Sequence, residues 1–166
     1  MEFRVMEIFR GTTVDGPGFR TSIYLAGCTH RCEGCHNPQS WEADAGKLMN
    51  LEEIMEIVEE EDFNVTLSGG DPLYNPVALE TLVTRLKENH RNVWIYTGYT
   101  WEDIIKNEEF LNAIRQADVL IDGPFILSLK DPDLPFRGSS NQRIIDIQQS
   151  LLQDAVVLKS LTSSLE

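Results

Sequence analysis

The chain has 166 residues, 42% hydrophobic and 25% charged, which is the composition of one ordinary globular domain with a full core. Fourteen basic against 27 acidic side chains give a net charge of −13, which repels a phosphate backbone and argues against nucleic acid as a partner. No run of about 18 apolar residues marks a membrane span, and Met1-Glu2-Phe3-Arg4 opens no charged-then-apolar leader, so a single soluble, cytoplasmic domain over residues 1–166 is expected.

Phe3 to Phe9 alternates roughly and predicts an edge strand, followed by the turn signal Asp15-Gly16-Pro17-Gly18. Phe19 to Leu25 reads as a buried strand that runs through Ala26-Gly27 directly into the segment Cys28 to His36. A polar connection holding Trp41 and Gly46 comes next. Apolar residues then recur at Leu51, Ile54, Met55 and Val58, one face of an amphipathic helix; seven of the twelve residues from Leu51 to Asp62 are acidic and form its solvated side. Val65-Thr66-Leu67 predicts a short strand ended by Ser68-Gly69-Gly70-Asp71-Pro72. Asn75 followed by Pro76 is a cap and first-turn pair for a helix carrying Leu79, Leu82, Val83 and Leu86. Val93 to Tyr96 is the next strand, ending in Thr97-Gly98-Tyr99, and Thr100 with Asp103 predicts a capping box for a helical region broken near Asn107. Val119 to Asp122 and Ile144 to Ile147 complete the strands, separated by Gly123-Pro124-Phe125 and a long polar connection. The tail after Gln148 is expected to hold one short helix and to fray at Ser163-Ser164.

Strands alternating with helices predict a parallel sheet wrapped by helices. A closed eight-stranded barrel of this kind takes about 250 residues. The expectation is therefore α/β, a partial (β/α) barrel of about five βα units. Sites in such folds lie at the carboxyl ends of the strands, where the Cys28 to His36, Ser68 to Pro72 and Thr97 to Tyr99 stretches fall.

All three cysteines sit in one loop, spaced Cys28-x3-Cys32-x2-Cys35, with no fourth anywhere in the chain. A disulfide would strand an odd thiol in a reducing compartment. Two metal readings stay open on this loop alone. A structural zinc would take the three thiolates plus His30 or His36. An iron–sulfur cluster, usually held by four thiolates, would here keep one iron without a protein ligand, and an open position is where chemistry happens.

Motifs elsewhere favour the second reading. The three-cysteine loop followed by Ser68-Gly69-Gly70-Asp71-Pro72 resembles the radical S-adenosylmethionine (SAM) superfamily. Asp15 to Gly18, Ser68 to Pro72, Thr97-Gly98-Tyr99, Asp122-Gly123 and Arg137-Gly138-Ser139-Ser140-Asn141-Gln142 together are similar, up to about Arg143, to the anaerobic ribonucleoside-triphosphate reductase-activating family. The resemblance implies a partial barrel of the radical SAM type with one [4Fe–4S] cluster on Cys28, Cys32 and Cys35. It implies SAM chelated at the open iron, with Gly34, Cys35 and His36 toward its adenine side. Gly69 and Gly70 would approach the methionyl part, Asp71 the ammonium, and Thr97, Gly98 and Asp122 the ribose or carboxylate. Many superfamily members have an aromatic residue before the third cysteine and Glu in place of Asp71; here Gly34 leaves adenine to rest against His36.

The implied activity is one-electron cleavage of SAM to a 5′-deoxyadenosyl radical, which takes a hydrogen from a glycine α-carbon in the reductase's catalytic subunit. No side chain beyond the cofactor is implied in the catalysis, and the electron is implied to come from a donor such as flavodoxin. Alternatives are an activase of another glycyl-radical enzyme such as pyruvate formate-lyase, whose activases are generally longer, and a small-molecule radical SAM enzyme of the deazapurine synthase type, which lacks the Arg137 to Gln142 likeness. From other classes, an electron carrier needs no vacant iron position, and a zinc-binding interaction module contains no iron.

Overall fold

A computed structural model describes residues 1–35 and 38–161. Strand β1 (Glu2–Thr12) pairs antiparallel with both β2 (Arg20–Leu25) and β3 (Lys47–Asn50). β2 then pairs in parallel with β4 (Asn64–Gly69), β4 with β5 (Val93–Tyr96), and β5 with β6 (Val119–Asp122). β7 (Arg143–Asp146) closes the order β3-β1-β2-β4-β5-β6-β7 antiparallel to β6. The result is a mixed seven-stranded α/β sheet with β3 and β7 as its ends. None of the described helices is long and apolar enough to cross a membrane.

Each helix starts where a side chain can serve the unpaired N–H groups of its first turn. Asn50 and Glu53 form a full capping box for α1 (Leu51–Glu61), and Asn75 caps α2 (Pro76–Glu88) with Pro76 in the first turn. Thr100 accepts from Asp103 N–H at the start of α3 (Trp101–Ile104). The expected break is real, because Asn107 turns its carboxamide onto Phe110 N–H and begins α4 (Glu108–Ile114). Asp146 does the same for α5 (Ile147–Gln153), which is why Ile147, expected in the last strand, is the first helical residue. α5 is the short helix expected in the tail; Ser163 and Ser164 lie outside the described residues.

The period-two pattern of the strands divides the sheet. Ile23, Leu25, Val65, Leu67, Val93, Ile95, Leu120 and Ile145 join Ile54, Met55, Val58, Leu79, Leu82, Leu86, Ile104 and Ile114 in one core beneath the helices. The opposite face holds Trp94, Val119, Ile121 and Ile144, with Tyr96 and Phe136 against them. On its polar side the fully buried Arg20 donates to Thr66 Oγ1 (2.9 Å), Val65 O (2.8 Å) and Asn92 Oδ1 (2.9 Å), over the Trp94 ring. Burial pulls its pKa down to about 10, against the nearby charge of Asp118. Arg20 Nη1 also reaches Pro17 O, and Thr66 Oγ1 donates to Asp15 O, so this arginine shapes the Asp15 to Gly18 turn.

Three features differ from the sequence reading. β1 is interior, because β3, four residues with Met49 alone buried, covers its outer edge. So short a strand carries almost no pattern of its own and exists because β1 offers it a ladder. Four strands run parallel instead of five. The connection from Gly123 to Gln142 returns to the sheet at the same end that it left, and a strand entering there must run antiparallel.

Leu82 is fully buried and Leu152 largely exposed. In urea unfolding, Leu82→Ala is expected to lose about 2–5 kcal/mol, whereas Leu152→Ala stays within about 0.5 kcal/mol of the parent.

Candidate functional site

Past the end of β2 the chain is sewn to its neighbours. Gly27 N–H donates to Ser40 O (2.7 Å) and Cys28 N–H to Trp41 O (3.0 Å), so the outgoing and returning limbs of the cysteine loop run side by side. Gly27 has φ +100°, and the Tyr74 ring fills the space a side chain would need. Gly70 N–H donates to Leu25 O and Asp71 N–H to Gly27 O, both 2.7 Å, tying the end of β4 to the same loop. Gly69 and Gly70 are thus glycines because protein backbone approaches them: a Cβ on Gly69 would collide with Leu25, and one on Gly70 with the Gly27 carbonyl.

Cys28 is buried and Cys32 and Cys35 are half-buried, and none of the three is in a disulfide. They line one cavity of about 120 Å³ with His30, Trp41, Gly70, Tyr96, Thr97, Gly98, Gly123, Phe125 and Gln142. The cavity lies where the ends of β2, β4, β5 and β6 meet. Burial pushes the Cys28 thiol above its ordinary range, opposed by the backbone N–H groups of His30 and Arg31. Among the described residues no three Cys, His, Asp or Glu side chains converge on a single ion. Three thiols lining one cavity, with no fourth cysteine in the chain, suit a cluster in which each thiolate would take its own iron. His30, one histidine considered for zinc, has its Nε2 2.8 Å from Asp71 Oδ2. The other, His36, lies outside the described residues.

Of the other residues assigned to SAM by resemblance, Gly70 and Thr97 stand on the cavity wall with Cys35, and Gly98 is beside them. Gly34, with φ +78°, lies under Leu127 and Phe125 at the loop's outer turn. Asp71 is 2% exposed and faces its own protein, as detailed below. Asp122 is 1% exposed; Oδ2 accepts from Trp101 N–H (2.8 Å) and Arg143 Nη2 (2.6 Å), and Oδ1 from Arg143 Nε (3.1 Å). It caps α3 and pairs β6 with β7. Arg143 reaches on to Glu102, which this bond holds below the usual carboxylate range.

The Arg137 to Gln142 motif is a clamp. Gln142 Oε1 accepts from Gly138 and Ser139 N–H while its Nε2 donates to Gly123 O (3.0 Å), and Asn141 Nδ2 donates to Pro124 O (2.8 Å). These bonds fold the long connection onto the end of β6 and bring Phe125 and Gln142 to the cavity. Trp41, Tyr96 and Phe125 were not among the residues expected at the site, and Gln142 was singled out only as part of the Arg137 to Gln142 motif; Trp41 and Phe125 reach the cavity through contacts distant in sequence.

A family model described as "4Fe-4S single cluster domain" matches residues 14–145. The anaerobic ribonucleoside-triphosphate reductase-activating protein of Haemophilus influenzae is 38% identical over 152 residues, covering 84% of this chain and 95% of that protein. The protein of the same name from Enterobacteria phage T4 is 37% identical over 139 residues, covering 79% and 86%. The chain belongs to the anaerobic ribonucleoside-triphosphate reductase-activating family. Among solved structures, QueE from Escherichia coli matches with a TM-score of 0.48 at 21% identity, over 60% of this chain and 54% of that one. The residues matched by the family model include the cysteine loop and the ends of β2, β4, β5 and β6 around the cavity.

Removing Arg143 would leave Asp122 buried without its cation. Arg143→Ala is expected to destabilise the apo-protein by about 3–5 kcal/mol, and Glu102→Ala, at the exposed end of the same network, by less than about 1 kcal/mol; thermal and urea unfolding read both.

Proposed function

We propose that this chain is an activating enzyme that reductively cleaves SAM and leaves a glycyl radical on the catalytic subunit of anaerobic ribonucleoside-triphosphate reductase. The observation that supports it most is that the chain's whole complement of three thiols lines one cavity together with Gly70, Thr97, Gly98 and Gly123 from the strand ends. In this reading Cys28, Cys32 and Cys35 hold a [4Fe–4S] cluster and leave one iron for the amino and carboxylate groups of SAM. When bound and reduced, the cluster supplies one electron to the carbon–sulfur bond of SAM, and its cleavage allows the hydrogen of a glycine α-carbon to be removed.

The chain's own residues do the binding and shielding. Gly70, Thr97 and Gly98 form the part of the wall that SAM meets, and the two glycines carry no side chain there because the Gly27 carbonyl and the His30 ring fill that space. Gly34 and His36 flank the third thiolate on the adenine side. Gly69, Asp71 and Asp122 serve by holding the strand ends in place. Tyr96, Trp41 and Phe125 close the cavity against water, which protects a reactive intermediate from side reactions. We read the sheet as the partial barrel of the radical SAM type in one domain, open enough for a loop of the reductase to reach the cofactors. The electron would come from a cytoplasmic donor such as flavodoxin.

Anaerobic reconstitution with iron and sulfide, reduction, and mixing with SAM and the purified reductase subunit test this. The expected products are 5′-deoxyadenosine and a glycyl radical signal on the reductase, both lost in Cys28→Ala, Cys32→Ala or Cys35→Ala. Deoxyadenosine without a radical on the reductase would overturn the partner assignment. Four protein donors around each metal, or a single divalent ion, would overturn the whole reading.

A further inference from the structure

His30 sits between two of the three thiols, and its surroundings give it a defined task. Its Nε2 lies 2.8 Å from Asp71 Oδ2. Its ring meets Tyr99 edge to face at 4.4 Å, and it lies so close over Gly98 that a Cβ there would come within 2.6 Å of His30 Cδ2. Asp71 in turn is saturated. Its carboxylate faces Leu73 N–H (3.0 Å), the Thr97 hydroxyl (3.0 Å to either oxygen), Gly98 N–H (2.9 Å) and His30. A carboxylate offers about four acceptor sites, and these four groups occupy them. Asp71 also holds the loop by its backbone, since its N–H donates to Gly27 O (2.7 Å). The residue before Cys28 and the residue two after it are therefore both fastened to Asp71.

We propose that His30 is a positioning residue: with Asp71 it brackets Cys28, fixing the first span of the cysteine loop to the ends of β4 and β5, and Asp71 acts through this bracket instead of binding the ammonium of SAM. The inference deepens the cluster reading and rests on it for the role of Cys28. The packing explains three residue identities at once: a donor ring at position 30, glycine at 98 to admit that ring, and a carboxylate at 71 short enough to stay within the strand ends.

The test separates the bracket from general folding by two substitutions. His30→Phe keeps the ring and removes the donor; His30→Gln keeps a donor and removes the ring. In the apo-protein, the alkylation rate of Cys28, followed by peptide mass spectrometry, is expected to rise about tenfold in His30→Phe, the scale of one buried hydrogen bond, and to return most of the way in His30→Gln. In the reconstituted protein, iron loss to a chelator should follow the same order. SAM affinity, measured by equilibrium binding, should fall together in His30→Phe and Asp71→Asn, and the double variant should add little, the mark of groups that act as a unit. Unchanged Cys28 alkylation in His30→Phe overturns the proposal. So does a loss of SAM affinity in Asp71→Asn alone, additive with His30→Phe, because that is the pattern of a direct contact. A parent protein that takes up no cluster would sink the proposed function, while the Cys28 measurement would still judge the bracket.

Discussion

The site depends on one buried carboxylate. Asp71 gathers donors from the cysteine loop, from its own turn and from the end of β5, so three segments far apart in sequence meet at one side chain that is 2% exposed. A buried carboxylate is tolerated only when such donors surround it, and the same need makes their arrangement strict. The loop that carries the thiols has no helix or strand of its own between Cys28 and Cys35. Its shape is borrowed from the strand ends to which it is fastened.

The sheet supplies those ends. Four parallel strands place their carboxyl termini along one rim, and the backbone bonds from Gly70 to Leu25, from Thr97 to Ile121 and from Gly123 to Tyr99 join each end to its neighbourhood. The Gly123 to Gln142 connection then folds down onto the rim through Asn141 and Gln142 and adds Phe125 to the wall. The second carboxylate of the rim, Asp122, plays toward β7 the part that Asp71 plays toward the cysteine loop. Both residues belong to motifs that the family resemblance places beside SAM, and in this structure both carboxylates have partners within the protein. A motif therefore marks a place where backbone geometry must be kept, and whether its side chain touches a ligand is a separate matter.

Much of this chain could be read before any coordinates. The three-cysteine loop, the helices begun by Asn50, Asn75, Thr100 and Asn107, and the strands at Val93 to Tyr96 and Val119 to Asp122 follow from local chemistry: capping side chains, period and turn residues act within a few positions. The family likeness was legible for the same reason, since its motifs are short runs at strand ends. What escaped were relations between distant segments. β3 exists only as a partner for β1, and the direction of β7 follows from where a long connection returns. Gly69 and Gly70 are small because Leu25 and Gly27 press on them.

By itself, then, the sequence determined the number and kind of the thiols, the helices, the parallel core strands and the family, because each is written in neighbouring residues. Only the tertiary structure decided how those thiols share a cavity, that Asp71 answers to His30, and that Asp122 answers to Arg143. Buried polar groups must find partners wherever the fold brings them, and no local pattern records which ones those will be.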